Sequence, residues 1–270
     1  MQKVLLALCV GTASAFVPAQ VRSAASTSQI SETKADLVEL QNSLAGPPNF
    51  WDPLGLADET FTIGWEDRTE EATIGFLRHA EIKHGRVAMA AFLGFIAQCS
   101  PLVKGPHLLA PYKGYIADVT PQEQWANMPV MAKLQIFTLI GMLESYGEGA
   151  ATYNNPDSSY THYMAGGQPG YYPPIAGLGP KFDKEGKQGQ IVFNLYDPFN
   201  FGFRDKSPEK RARGLKSEIL NGRAAMIGIF GFISESRVPG SVPILSGISG
   251  FPHSDIDTMQ PFYGDFSFFN

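Results

Sequence analysis

The chain has 270 residues, enough for one or two domains, and its net charge of only −5 gives no footing for nucleic-acid binding. Glycine (28) and phenylalanine (19) are plentiful, and there are two cysteines, Cys9 and Cys99. Cys9 falls in a leader, so the processed chain keeps one thiol and an extracellular disulfide scaffold is excluded.

The N-terminus reads as a targeting device. Lys3 is a charged n-region, Val4 to Val10 an apolar run, and Ala13-Ser14-Ala15 a small-residue cleavage site, which makes residues 1–15 a signal peptide. Seven apolar residues are too few to cross a bilayer. Residues 16–31 are rich in Ser, Thr and Ala, contain Arg22 and lack acids, so a transit-like segment is expected over about 16–45. A signal peptide followed by a transit segment, with Phe16 directly after the cleavage site, resembles the bipartite leaders of secondary plastids. An ordinary secreted protein is the alternative on the leader alone. The functional domain is expected over 46–270 and ends in a C-terminal tail from about 240.

Three segments predict long helices, at about 71–98, 129–146 and 208–235. A helix of the first one's length spans roughly 40 Å. That exceeds the ~30 Å hydrocarbon core, so the first and third are expected to tilt and project from a membrane. Each carries about a dozen apolar residues at its C-terminal end behind a charged beginning. Hydropathy alone therefore favours a soluble helical bundle, and the case for a membrane rests on how the charges are arranged. Residues 147–207 are rich in Gly, Pro, Tyr and Asn and predict a long loop, of a length usually tied to function or a partner. The approach to the third helix carries Arg204, Lys206, Lys210, Arg211, Arg213 and Lys216. The stretch after Arg237 has no Lys or Arg but has Asp255, Asp257 and Asp265. The positive-inside rule then puts the N-terminus and the 147–207 loop on the stromal side and the C-terminus in the lumen.

The first and third helices are copies. Glu81-Ile82-Lys83-His84-Gly85-Arg86-Val87-Ala88-Met89 aligns with Glu218-Ile219-Leu220-Asn221-Gly222-Arg223-Ala224-Ala225-Met226, and Gly94-Phe95-Ile96 with Gly231-Phe232-Ile233. Nine of eighteen positions are identical between 81–98 and 218–235. Trp51-Asp52-Pro53-Leu54-Gly55 precedes one copy and Tyr196-Asp197-Pro198-Phe199 the other. A repeat in one orientation implies two helices related by an axis along the membrane normal, crossing as a pair. An ionisable group inside a membrane segment is costly unless paired. Two-fold symmetry lets Glu81 reach Arg223 while Glu218 reaches Arg86, each pair neutral and buried. Gly85 and Gly222 leave room where the helices approach. A single Glu-Arg pair would ordinarily be a surface ion pair. Its repetition at identical spacing argues against that.

At these residues the chain resembles the light-harvesting chlorophyll-binding superfamily. Gln135-Ile136-Phe137 followed by Gly141-Met142-Leu143-Glu144 in the second helix is similar to the fucoxanthin chlorophyll a/c proteins of red-lineage secondary plastids. The resemblance covers about residues 46–238. It implies an all-α membrane protein with three transmembrane helices, the first and third a crossed pair, and a long stromal loop between the second and third. It implies axial magnesium ligands at Glu81, His84, Gln135, Glu218 and Asn221. Oxygen or imidazole nitrogen suits that hard ion. Glu81 and His84 are three residues apart, neighbours on one helix face, and Glu218 and Asn221 repeat the spacing. Gln98 and Glu235, about 25 Å further along, would serve a lumen-side pigment layer; the family often has Gln or His where Glu235 stands. Glu144 is a further candidate that could instead sit at the headgroups. Carotenoids would lie in the grooves of the crossed helices, anchored near Asp52-Pro53 and Asp197-Pro198.

The function so implied is a plastid thylakoid antenna. It would bind chlorophyll a, chlorophyll c and fucoxanthin or a related carotenoid, and touch photosystem core subunits, neighbouring antenna proteins and thylakoid lipids. Gly166-Gly167-Gln168-Pro169-Gly170 looks like loops of red-lineage photosystem I antennae. A photoprotective relative that dissipates excitation would share every motif, with Asp255 and Asp257 as pH sensors. A soluble scaffold or enzyme is the rival of a different class. Gly247-Ile248-Ser249-Gly250 is not a nucleophile elbow, because Phe251 stands where that motif needs glycine.

Overall fold

The computed structural model describes residues 33–44, 50–57, 69–99, 119–150, 161–172, 207–248, 250–255 and 261–262. The described residues are helical, without strands. Among the described residues six α-helices follow one another: α1 (Lys34–Ser43), α2 (Glu70–Cys99), α3 (Pro121–Ala126), α4 (Val130–Ser145), α5 (Pro208–Arg237) and α6 (Pro243–Ser246). A π turn (Tyr146–Ala150) continues α4, and a 3₁₀ turn (Tyr163–Ala165) falls within residues 161–172; residues 151–160 and 173–206 of the loop expected over 147–207 lie outside the described residues. No helix among the described residues is long and apolar enough to cross a membrane on hydropathy.

The three long helices fall within two residues of their expected bounds. The short ones were not foreseen, although capping boxes announce two of them. Thr33 accepts the Asp36 N–H while Asp36 accepts that of Thr33, opening α1. Thr120 and Glu123 do the same for α3, which has proline in its first turn. Helix α1 lies inside the segment assigned to the transit leader, yet its Gln41 reaches the crossed pair.

Helices α2 and α5 cross at glycine. A Cβ on Gly85 would stand 3.0 Å from Gly222 Cα, and one on Gly222 equally close to Gly85 Cα, so backbone meets backbone there. Below the crossing, repeat-related Phe95 and Phe232 pack at 5.2 Å, with Phe92 stacked on Phe232 at 4.8 Å. Phe251 of the tail closes this cluster from outside, and the Ser254 N–H donates to the Ser236 carbonyl. The Trp125 indole of α3 donates to the Pro261 carbonyl, and Gln122 donates to Ser236. The tail from 240, which the sequence leaves without a counterpart, thus folds back on the C-terminal ends of α2 and α5.

Candidate functional site

Two reciprocal clamps flank the glycine crossing. Arg86 Nε donates to Glu218 Oε1 at 2.6 Å, and Arg223 Nε donates to Glu81 Oε1 at 2.6 Å. Each arginine also uses Nη1 on a group outside the pair: Arg86 on the Gly170 carbonyl (2.8 Å), Arg223 on the Gln41 amide oxygen (3.0 Å). Arginine can only donate, so Gln41 must present its oxygen. The expectation of buried pairs needs correction. The glutamates are 25% exposed and the arginines about 40%, because the carboxylates lie on the flanks of the crossing.

The clamps are not equivalent. Glu81 Oε2 also accepts Arg78 Nη1 at 2.7 Å, so this carboxylate binds two guanidinium groups. Leu215 stands at the corresponding place before Glu218. Arg78 was missed, although an Arg three residues before a Glu is a readable helix pair.

The neutral ligand candidates are pre-oriented by their own helices. His84 is exposed, and its Nδ1 lies 2.8 Å from the Ala80 carbonyl. A carbonyl cannot donate, so Nδ1 carries the proton and Nε2 keeps its lone pair facing outward. Asn221 is exposed too, and its Nδ2 donates to Ser217 Oγ at 3.1 Å, which leaves Oδ1 as the outward donor atom. Both groups are held by a partner four residues earlier. Gln135 is exposed on α4. This donor set, an imidazole nitrogen and amide or carboxylate oxygens on outward faces beside apolar surface, fits a chlorophyll's magnesium.

The other candidate residues make varied contacts. Glu235 is 1% exposed; its Oε1 accepts the Gly240 N–H at 2.9 Å and its Oε2 the Val242 N–H at 2.8 Å. It caps the turn after α5, where the chain reverses and leaves amides to satisfy. Gln98, its counterpart in the repeat, is half-buried in the last turn of α2. Glu144 accepts Lys83 Nζ at 2.5 Å and is half-exposed. Asp52 accepts the Leu56 and Ala57 N–H groups, each at 2.9 Å. Those bonds, Ala57 foremost, hold its carboxyl below the usual carboxylate range. Pro53 is exposed beside it. Asp197 and Pro198 lie outside the described residues.

Residues 161–172 form a strap that lies across α2. Tyr163 stacks on His79 at 3.9 Å, and its hydroxyl donates to Glu148 at 2.9 Å. His162 meets Glu148 at 3.1 Å, Lys83 donates to it at 3.2 Å, and Tyr172 donates to the Leu143 carbonyl at 2.8 Å. Glu148 therefore joins the end of α4 to α2 and the strap. Burial pushes its carboxyl up, but the bonds from His162, Tyr163 and Lys83 outweigh that and hold it below its usual value. Sequence reading found none of this. Glu148 and His79 lie outside every motif, and their partners are 14 or more positions away.

The family described as Chlorophyll A-B binding protein matches residues 37–237, from within α1 to the end of α5. A fucoxanthin-chlorophyll a-c binding protein of Trieres chinensis is 28% identical over 253 residues, covering 91% of this chain and 98% of that protein. Fucoxanthin-chlorophyll a-c binding protein A of Macrocystis pyrifera is 24% identical over 236 residues, covering 86% and 89%. Photosystem I chlorophyll a/b-binding protein 3-1 of Arabidopsis thaliana is 31% identical over 214 residues, covering 76% and 68%. The matched span holds both copies of the repeat, the glycine crossing and both clamps, and the chain belongs to the chlorophyll a-b binding protein family.

Proposed function

We propose that this chain is a light-harvesting antenna of a plastid thylakoid membrane, holding chlorophylls a and c and fucoxanthin on three membrane-spanning helices, α2, α4 and α5. The observation that carries this is the pair of clamps at the glycine crossing, each with an oriented donor three residues after its glutamate. Bound chlorophyll supplies light absorption and passes excitation to neighbouring pigments. The protein's part is to fix those neighbours. Glu81 and Glu218 offer carboxylate oxygens steadied by guanidinium groups, and His84 and Asn221 offer Nε2 and Oδ1. Gln135 supplies the donor on α4. The names of the Trieres and Macrocystis relatives support the pigment set.

Surface chemistry supports the membrane. Helix α4 exposes Met131, Ile136, Phe137, Leu139, Ile140 and Met142 around its circumference. A helix apolar all round needs an apolar surrounding. On the crossed pair, Val87, Leu93, Ile227 and Phe230 face outward just beyond the neutralised charges. The basic residues that precede and open α5 support a stromal N-terminus and loop and a lumenal C-terminus. Because Gln41 braces Arg223, the processed chain is read as beginning before Lys34, upstream of the expected boundary near 45. Photosystem core subunits and neighbouring antennae are the partners, and the Arabidopsis relative's name supports photosystem I among them.

Purification of the native protein followed by absorption and pigment chromatography tests the reading. Chlorophyll a, some chlorophyll c and a keto-carotenoid are expected. Chlorophyll b in quantity would move the chain to another branch, and a colourless protein would overturn the antenna role. A strongly shortened fluorescence lifetime would favour dissipation over harvesting.

A further inference from the structure

Gly170 is gripped at both ends. Its N–H donates to His79 Nδ1 at 3.0 Å, and its carbonyl accepts Arg86 Nη1 at 2.8 Å. Its backbone is left-handed (φ 75°), and a Cβ would stand 2.8 Å from Ile82 Cγ2, so glycine is needed on both counts. His79 is 8% exposed and stacked on Tyr163, so the ring is fixed in place. Because Nδ1 accepts, the ring is neutral with its proton on Nε2, which lies 4.0 Å from Glu148 and has no hydrogen-bond partner among the described residues. His79 stands outside the repeated Glu-x-x-His/Asn-Gly-Arg pattern, and Lys216 occupies its place in the other copy. The two clamps are thus braced by unrelated means: Arg223 by Gln41 of α1, Arg86 by a loop carbonyl that His79 holds in register.

We infer that His79 is a positioning residue for the pigment site at Glu218. It fixes Gly170 through the N–H, the Gly170 carbonyl on the other side of the Cα sets Arg86, and Arg86 sets the carboxylate. The inference rests on Glu218 holding a chlorophyll, as proposed above. It makes one pigment of α5 depend on a histidine of α2 and on the docked strap. A packing role alone would need only the ring.

The test is reconstitution of the full chain with chlorophylls a and c and fucoxanthin, comparing wild type with His79→Leu and His79→Asn. Asparagine loses the ring but keeps an acceptor, Oδ1, where Nδ1 stood. His79→Leu is expected to lose about one chlorophyll per chain, the same absorption component lost in Glu218→Leu. Hydrogen exchange of the peptide containing Gly170 should quicken about tenfold in the loaded protein. His79→Asn should restore both, and in an Arg86→Leu background His79→Leu should remove no further chlorophyll. Equal loss in the Asn and Leu variants, or retention of the Glu218 component by His79→Leu, overturns the inference. Should His79→Leu fail to assemble, His79→Gln replaces it, since its acceptor sits one bond too far out. Equal loading of Asn and Gln variants then overturns the inference. A wild-type chain that takes up no chlorophyll would instead overturn the antenna reading itself.

Discussion

The candidate ligand atoms at residue scale are oriented by local hydrogen bonds. His84 presents Nε2 because its Nδ1–H donates to the Ala80 carbonyl, and Asn221 presents Oδ1 because its Nδ2 donates to Ser217 Oγ. His84→Leu should therefore remove about one chlorophyll in reconstitution and leave the melting temperature almost unchanged, since the exposed ring supports no packing. The clamps should behave unequally. Arg223→Leu leaves Glu81 with Arg78, whereas Arg86→Leu leaves Glu218 without an ion-pair partner among the described residues. Arg86→Leu is expected to cost about 1.5–3 kcal/mol, the range for hydrogen bonds to charged groups, and Arg223→Leu about 1 kcal/mol less. Pigment counting and thermal melting of the two variants check this; equal losses would refute the asymmetry. The symmetric pairing was legible from the repeat. The added Arg78 was legible in principle, but Gln41 was not, because nothing local ties position 41 to 223.

Helices α2 and α5 depend as elements on the contact at Gly85 and Gly222. Ala at either position places a methyl group 3.0 Å from the opposing backbone, which must move. Overpacking of this kind costs about 1–3 kcal/mol, and the double change should cost less than the sum, because the first already separates the helices. Melting curves of the two single variants and the double variant decide it. The strap answers to Glu148. Its folded carboxyl titrates below the ordinary value of 4.5. A depressed carboxylate contributes stability that is present above the unfolded value and lost as pH falls through the folded one. Protease resistance of the strap should therefore be constant from neutrality to about pH 5 and fall only in stronger acid. Glu148→Gln should lower protection at neutral pH.

Across the whole molecule the parts imply a sidedness. Protease added to the stromal face of sealed thylakoids is expected to cut within residues 147–207 while sparing the docked stretch 161–172. The tail beyond Gly240 should be cut only after the membranes are opened. The reverse pattern would refute the orientation drawn from the basic residues before α5. Folding of the tail onto Phe95, Phe232 and Ser236 further predicts slow cleavage there even in opened membranes.

The sequence by itself determined the repeat, the three long helices, the crossing glycines and the reciprocal Glu-Arg partners. All of these follow from one short pattern written twice, with helical spacing and charge neutrality as the only rules needed. Tertiary structure alone decided which residues brace each clamp, that Glu235 caps a turn, that the clamps are half-exposed on their flanks, and that α1 belongs with the crossed pair. These depend on contacts between segments 84 to 182 positions apart, or on how a chain reversal uses its amides. No periodicity records such contacts, because a loop's path is set by the surfaces it lands on.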